Sequence, residues 1–224
     1  METIFNELLT KEYKLNSNHG KIITIEGIDG AGKTTIVDNC VNILNNKGYK
    51  AIHFFTSSDF NIYWEVVKRG IGYNCIDSDM NQLLHNIAFL SYINSIFITL
   101  LNEYDYVLSE WYIYGKMVLS ELYTKGDNNK ALELLKNELI NGRIILPDYS
   151  FFIDTNPYLA SERIAKRNLN FESKEKLDML IRAYSIWDYY IDNYSIEKID
   201  GNLQIDEITN KVLKKVLAND KKLV

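Results

Sequence analysis

Proline is scarce in this chain, with two residues in 224. Pro147 and Pro157 fall just before a strand-like run and at the start of a helix-like one, so long regular elements run uninterrupted. Proline-rich spacers are thereby excluded. Cysteine is equally rare. Cys40 and Cys75 are the only two, they form neither a disulfide framework nor a metal-ligand spacing, and both read as small apolar residues. No segment reaches the ~20 apolar residues of a membrane-spanning helix. The opening METIFNELLTKEYK lacks the basic stretch and apolar run of a secretory signal. No membrane partner is expected, and the cytosol is the expected compartment. A basic surplus is missing as well: 25 Lys and Arg stand against 30 Asp and Glu, for a net charge of −5. Such a chain has no charge excess for wrapping a nucleic-acid polymer, although a local basic patch stays open.

What is present suits one compact α/β domain: 46% hydrophobic and 12% aromatic residues in a chain of ordinary domain length. Residues 1–20 read as an extension, with Ile4, Leu8 and Leu9 on one stripe of a short helix and NSNHG as a loop. Residues 21–224 read as the domain. KIITIE (21–26) is a β-branched run without helical period, as in a strand buried on both faces. Further strands are expected at 50–55, 104–110, 149–154 and 195–200. Helices are expected at 34–47, 62–70, 80–102, in the stretch after 111, at 130–140, from Pro157, at 174–190 and from about Asp206, which can cap the last. Strands alternating with helices imply right-handed crossovers and a parallel sheet covered on both faces.

One segment carries chemistry. Gly27-Ile28-Asp29-Gly30-Ala31-Gly32-Lys33-Thr34 satisfies GxxxxGK[ST], between a strand and a helix. Glycines let the backbone curl so that several N–H groups face one anion. The following helix adds its positive N-terminal end. Lys33 supplies a mobile charge for the β- and γ-phosphates, and Thr34 a hydroxyl for Mg²⁺. The bland alternative, a glycine-rich connector, explains neither the Lys-Thr pair nor the strand–helix context. Gly27, Asp29, Gly30, Ala31, Gly32, Lys33, Thr34 and Thr35 are therefore the candidate ATP-binding set, with ATP and Mg²⁺ as the expected cofactors.

IEGIDGAGKTT, with Glu26 before the loop and Asp29 inside it, closely resembles the phosphate loop of thymidylate kinases. LPDYSFFIDTNPYLASERIAKR (146–167) is similar to a second block of that family, and FESKEKLDMLIRAY (171–184) to its lid exit. The resemblance implies a P-loop NTPase fold: a three-layer α/β/α arrangement with a five-stranded parallel sheet and a small helical lid. It implies dTMP phosphorylation to dTDP by ATP and Mg²⁺, with a nucleotide acceptor as partner and usually a homodimer. By carry-over, Asp29 holds the acceptor sugar or positions the phosphates. Arg163 lies beside the adenine or the transferring phosphate, and Arg167 sits in the lid. Phe171 and Glu172 approach the acceptor sugar. For Arg163 and Arg167 the competing reading is a solvated helix face.

The middle of the chain departs from that family. Where the family has Asp-Arg-Tyr/His, this chain has Glu110-Trp111-Tyr112. Glu110 keeps a carboxylate that can order Mg²⁺ or accept a proton, and Tyr112 stays a candidate for the acceptor site. Trp111 removes an arginine expected on the acceptor phosphate, and Thr56-Ser57-Ser58-Asp59 removes a second. Each such charge-assisted bond contributes about 1.5–3 kcal/mol. Lys68, Arg69 and Lys116 are nearby candidates to replace them, lysine being the poorer bidentate donor. Along the long helix no arginine faces the base; His85 or Asn86 falls near the stacking position, Phe89 can stack instead, and an ordinary helix position is the plainer reading of His85. Two further readings stay open. One is a deoxynucleoside kinase-like enzyme, with Glu110 at the third-strand end and Asp59, five residues before Trp64, as the base that takes the 5′-hydroxyl proton. The other is a nucleotide-binding paralogue with weak or no transfer.

Overall fold

The structure is a computed structural model and describes residues 19–54, 78–124, 129–167 and 174–218. The N-terminal helix stripe, the 62–70 helix, Thr56 to Asp59, Trp64, Lys68, Arg69, Cys75, Phe171 and Glu172 all lie outside the described residues.

The elements follow the alternation expected from the sequence. They are β1 (Lys21–Glu26), α1 (Lys33–Asn46), β2 (Ala51–Phe54), α2 (Ser78–Tyr92), a π-helical turn (Ile93–Phe97), α3 (Ile98–Glu103), β3 (Tyr106–Glu110), α4 (Ile113–Tyr123), α5 (Lys130–Ile140), β4 (Tyr149–Asp154), α6 (Pro157–Arg167), α7 (Lys174–Asn193), β5 (Ile196–Asp200) and α8 (Ile205–Leu217). The long helix expected over 80–102 is present but broken by the π-turn, which no proline or glycine announces. Helix α1 stops where Gly48 takes a left-handed φ of 87°, a conformation glycine adopts without a Cβ penalty. One expectation is corrected at α8. Its N-cap is Gln204, in a reciprocal box with Glu207, so Asp206 lies inside the first turn rather than capping it.

All five strands are parallel, in the order β2-β3-β1-β4-β5. Alternate side chains feed two cores. Ile22, Val107 and Phe152 enter one with α4 and α7, while Ile23, Ile25, Leu108, Phe151 and Ile153 enter the other with α1 and α8. That double coverage is why these strands read as continuous apolar runs. The order also places the site. β1 lies between β3 and β4, and the chain switches sides there, which opens a crevice beyond the strand C-termini. The register sets Ile25 opposite Glu110, so the end of β3 lies beside the loop that leaves β1.

Candidate active site

The loop after β1 forms a cradle. Gly27, Gly30 and Gly32 all have positive φ (148°, 83° and 88°). At Gly30 a Cβ would stand 2.4 Å from the carbonyl oxygen of Ala160, so only glycine fits both the conformation and the space. Gly32 caps α1 with no side-chain hydrogen bond, which leaves first-turn N–H groups for an outside anion. A cleft of ≈ 400 Å³ opens above them, lined by Asp29, Gly30, Gly32, Lys33, Thr34, Thr35, Glu110, Trp111, Arg163, Ile164 and Arg167. Nine candidate site residues read from the sequence line this one space, together with Trp111 and Ile164. Gly27 and Ala31 do not; they are buried and shape the loop from below.

Lys33 is only 5% exposed. Its ammonium donates to the Ile28 carbonyl at 2.9 Å, lies 3.9 Å from Asp29 Oδ1, and sits 4.4 Å from the centre of the Trp111 ring. Burial lowers its pKa, opposed by the carboxylates of Asp29, Glu110 and Glu26. Trp111 thus fills the position where an arginine was expected and covers the lysine. It does so with a left-handed φ of 54°, rare for a bulky residue.

The Thr34 hydroxyl donates to Glu110, 2.8 Å from Oε1 and 3.1 Å from Oε2. These are hard oxygen donors at the rim of an anion cradle, and they fit Mg²⁺. Among the described residues no cluster of three His, Cys, Asp or Glu makes a protein-only metal cage. A cation held here takes its other ligands from phosphate and water. Behind Glu110 stands His53, absent from the sequence-based site. Its Nε2 is 3.9 Å from Glu110 Oε1 and its Nδ1 is 2.8 Å from Asp38 Oδ1. A carboxylate only accepts, so Nδ1 carries the hydrogen. Only the sheet register brings His53 and Asp38 to this place; no local motif marks them.

Arg163, half-buried, and Arg167, exposed, both line the cleft from α6. Arg163 Nη2 also donates to the Gly201 carbonyl at 3.3 Å, tying α6 to the turn after β5. Asp154 is structural, accepting from the Tyr184 hydroxyl and pairing with Lys198 at 3.2 Å.

Beneath the cradle, Glu26 is fully buried. Its Oε1 accepts the Tyr112 N–H at 3.1 Å, and its Oε2 finds no hydrogen-bond donor among the described residues. Burial pushes its pKa up to about 7, against the pull of Lys33, the Tyr112 N–H and Lys116. Two sequence-based acceptor candidates are corrected here. Tyr112 is 0% exposed and its phenol donates to the Ile145 carbonyl, so it is a core residue. Phe89 is 1% exposed, set edge-on against Tyr112 at 5.6 Å between centroids, so its face is not offered to a base. Asn86 is core as well, donating to Ser120 Oγ and to the Ala131 carbonyl. His85 remains half-buried, with its pKa lowered to about 4 by burial and by Lys116.

Comparison with known proteins agrees with this geometry. A sequence model described as thymidylate kinase matches residues 25–212. The chain belongs to the thymidylate kinase family. A probable thymidylate kinase of Staphylothermus marinus is 27% identical over 206 residues, covering 92% of this chain and 98% of the relative. A thymidylate kinase of Legionella pneumophila (strain Paris) is 28% identical over 206 residues, covering 88% and 94%. One of Wigglesworthia glossinidia brevipalpis is 24% identical over 218 residues, covering 91% and 87%. The match spans the phosphate cradle, the β3 end and α6, so the thymidylate kinase resemblance of the two sequence blocks extends across the chain. Among the described residues no helix is long and apolar enough to cross a membrane.

Proposed function

We propose that this chain transfers the γ-phosphoryl group of ATP to dTMP, giving dTDP and ADP. The observation that carries this reading is the gathering of Lys33, Thr34, Glu110, Arg163 and Arg167 around one phosphate cradle in a thymidylate kinase-family chain. An oxygen of the dTMP phosphate attacks the γ-phosphorus while the bond to the β–γ bridging oxygen breaks and the electron pair leaves with ADP. The protein's work is positioning and charge stabilisation. The loop N–H groups with Thr35 hold the β-phosphate, Lys33 bridges β and γ, and Arg163 and Arg167 neutralise the equatorial oxygens. Asp29, 61% exposed at the mouth, positions the acceptor sugar or the phosphates. Mg²⁺ on Thr34 and Glu110 supplies further neutralisation of the phosphate charge. A domain over 21–224 behind an N-terminal extension, a homodimer and a cytoplasmic location complete the reading.

Trp111 supports a second reading, in which an uncharged nucleoside is the acceptor, because it replaces a cation that a monophosphate would use. One assay separates the two. Purified protein, ATP and Mg²⁺ are offered a panel of nucleosides and monophosphates, and ADP is measured. Turnover with dTMP and none with thymidine supports the first reading; the reverse pattern replaces it with the second.

A further inference from the structure

Thr34 and Asp38 stand four residues apart on α1, so they share one face of the helix. Each is tied to a different strand. Thr34 donates to Glu110 at the end of β3, and Asp38 accepts from His53 Nδ1 on β2 at 2.8 Å. His53 pairs in register with Leu108, two residues before Glu110, so His53, Leu108 and Glu110 project from the same side of the sheet. That side faces α1, since Leu108 belongs to the core that α1 completes. The two ties therefore run side by side. They meet where His53 Nε2 comes within 3.9 Å of Glu110 Oε1.

An ordinary strand residue is the competing reading of His53. Its side chain is 7% exposed while that of Asp38 is 52% exposed, and a single tie to an exposed carboxylate contributes little to stability. Packing against α1 alone would favour an apolar residue such as the neighbouring Leu108. What the histidine adds is a rigid ring, fixed at one edge by Asp38, whose other edge faces the carboxylate that holds Thr34. A separation of 3.9 Å is too long for a hydrogen bond, so the ring acts on Glu110 by filling the space beside it. The Glu110 side chain is 16% exposed and long enough to turn about several bonds. Thr34 restrains it on one side and the ring on the other. When the Thr34 oxygen turns to a cation, the ring remains. Supports of this kind orient metal ligands and tune their affinity.

We propose that His53, held by Asp38, is a positioning residue that keeps the Glu110 carboxylate turned toward the cation accompanying ATP. This rests on the reading of Thr34 and Glu110 as the Mg²⁺ seat and adds what holds that seat in shape.

The test is binding of Mn²⁺, a paramagnetic stand-in for Mg²⁺, to the whole chain with ADP, followed by loss of the free-ion signal in electron paramagnetic resonance. No turnover is needed. His53→Asn keeps an amide N–H near the Nδ1 position and removes the ring edge that faces Glu110. It should raise the Mn²⁺ dissociation constant at least about fivefold, with metal-free ADP affinity within about twofold. The same change made in Glu110→Gln should shift the constant by less than about twofold, because the group it positions is gone. An unchanged constant in His53→Asn overturns the proposal. A loss of equal size in both backgrounds also overturns it, since His53 would then act by a route other than Glu110. If His53→Asn does not fold, Asp38→Ala releases the ring from the exposed side of α1 and must weaken Mn²⁺ binding in the same background-dependent way; no effect overturns the proposal. Glu110→Gln that itself leaves Mn²⁺ affinity unchanged sinks the cation seat and this inference with it, whereas a silent His53→Asn sinks only the inference.

Discussion

The ammonium of Lys33 rests against the face of Trp111, 4.4 Å from the ring centre, while donating to its own loop at Ile28. A triphosphate offers that ammonium a stronger partner than an indole and a carbonyl. Binding MgATP should therefore draw Lys33 off the ring and change the Trp111 fluorescence. The chain has three tryptophans, so Trp111→Phe is the control. The saturable signal should vanish in that variant while calorimetry still detects nucleotide. An identical signal in Trp111→Phe would show that Lys33 does not move as described.

Lys33→Met should lower kcat by at least about 10³-fold, because the bridging charge is lost at the transferring group. The melting temperature should hold or rise, since exchanging a buried cation for a thioether of similar length removes a desolvation cost. Turnover near wild type would remove Lys33 from the reaction.

Glu110→Gln keeps the size of the side chain but removes its charge beside Thr34. It should raise the Mg²⁺ concentration needed for half-maximal rate and lower kcat by about 10²-fold at saturating ATP. Titration of activity with Mg²⁺ reads both. An unaltered Mg²⁺ curve would separate the carboxylate from the cation.

Much of this was legible beforehand, and the reasons are local. The phosphate loop declares itself because glycine spacing, Lys33 and Thr34 are fixed by contacts within eight consecutive residues. Strands buried on both faces leave unbroken apolar runs such as KIITIE, so the sheet was legible too. His53 and Asp38 were not, because only the register of β2 against β3 carries His53 to Glu110. Phe89 and Tyr112 were misplaced for a related reason. An aromatic residue looks the same in sequence whether it faces a ligand or, as here, another ring.

Gly115 sits where Glu26, Trp111 and α4 converge. A Cβ there would stand 2.6 Å from Glu26 Oε2 and 2.8 Å from a Trp111 ring carbon. Gly115→Ala should destabilise the fold by about 1–3 kcal/mol through this overpacking. Gly48→Ala, in open space but at a φ of 87°, should cost only the conformational strain of about 1 kcal/mol. Urea melts of the two variants test the order, and a milder effect at Gly115 would contradict the packing described around Glu26.

Glu26 gives stability a pH dependence of definite sign. Its folded pKa of about 7 lies above the ordinary glutamate value of 4.5, so between those values the native state holds a proton the unfolded chain has released. The stabilisation is full below about 4.5 and disappears as pH rises through about 7. Its size is on the order of 3 kcal/mol at one pKa unit per 1.36 kcal/mol. Glu26→Gln, neutral throughout, should flatten that decline in denaturant melts taken from pH 5 to 8. A decline unchanged in the variant would assign it to other groups.

Phosphorus NMR of the purified chain with ATP, Mg²⁺ and dTMP follows the γ-phosphoryl group itself. The expected result is growth of the dTDP and ADP β-phosphate resonances together, in equal amounts, with neither appearing in Lys33→Met. Inorganic phosphate growing in place of dTDP, or ATP left intact while nucleotide is bound, would contradict phosphoryl transfer from this cradle to dTMP.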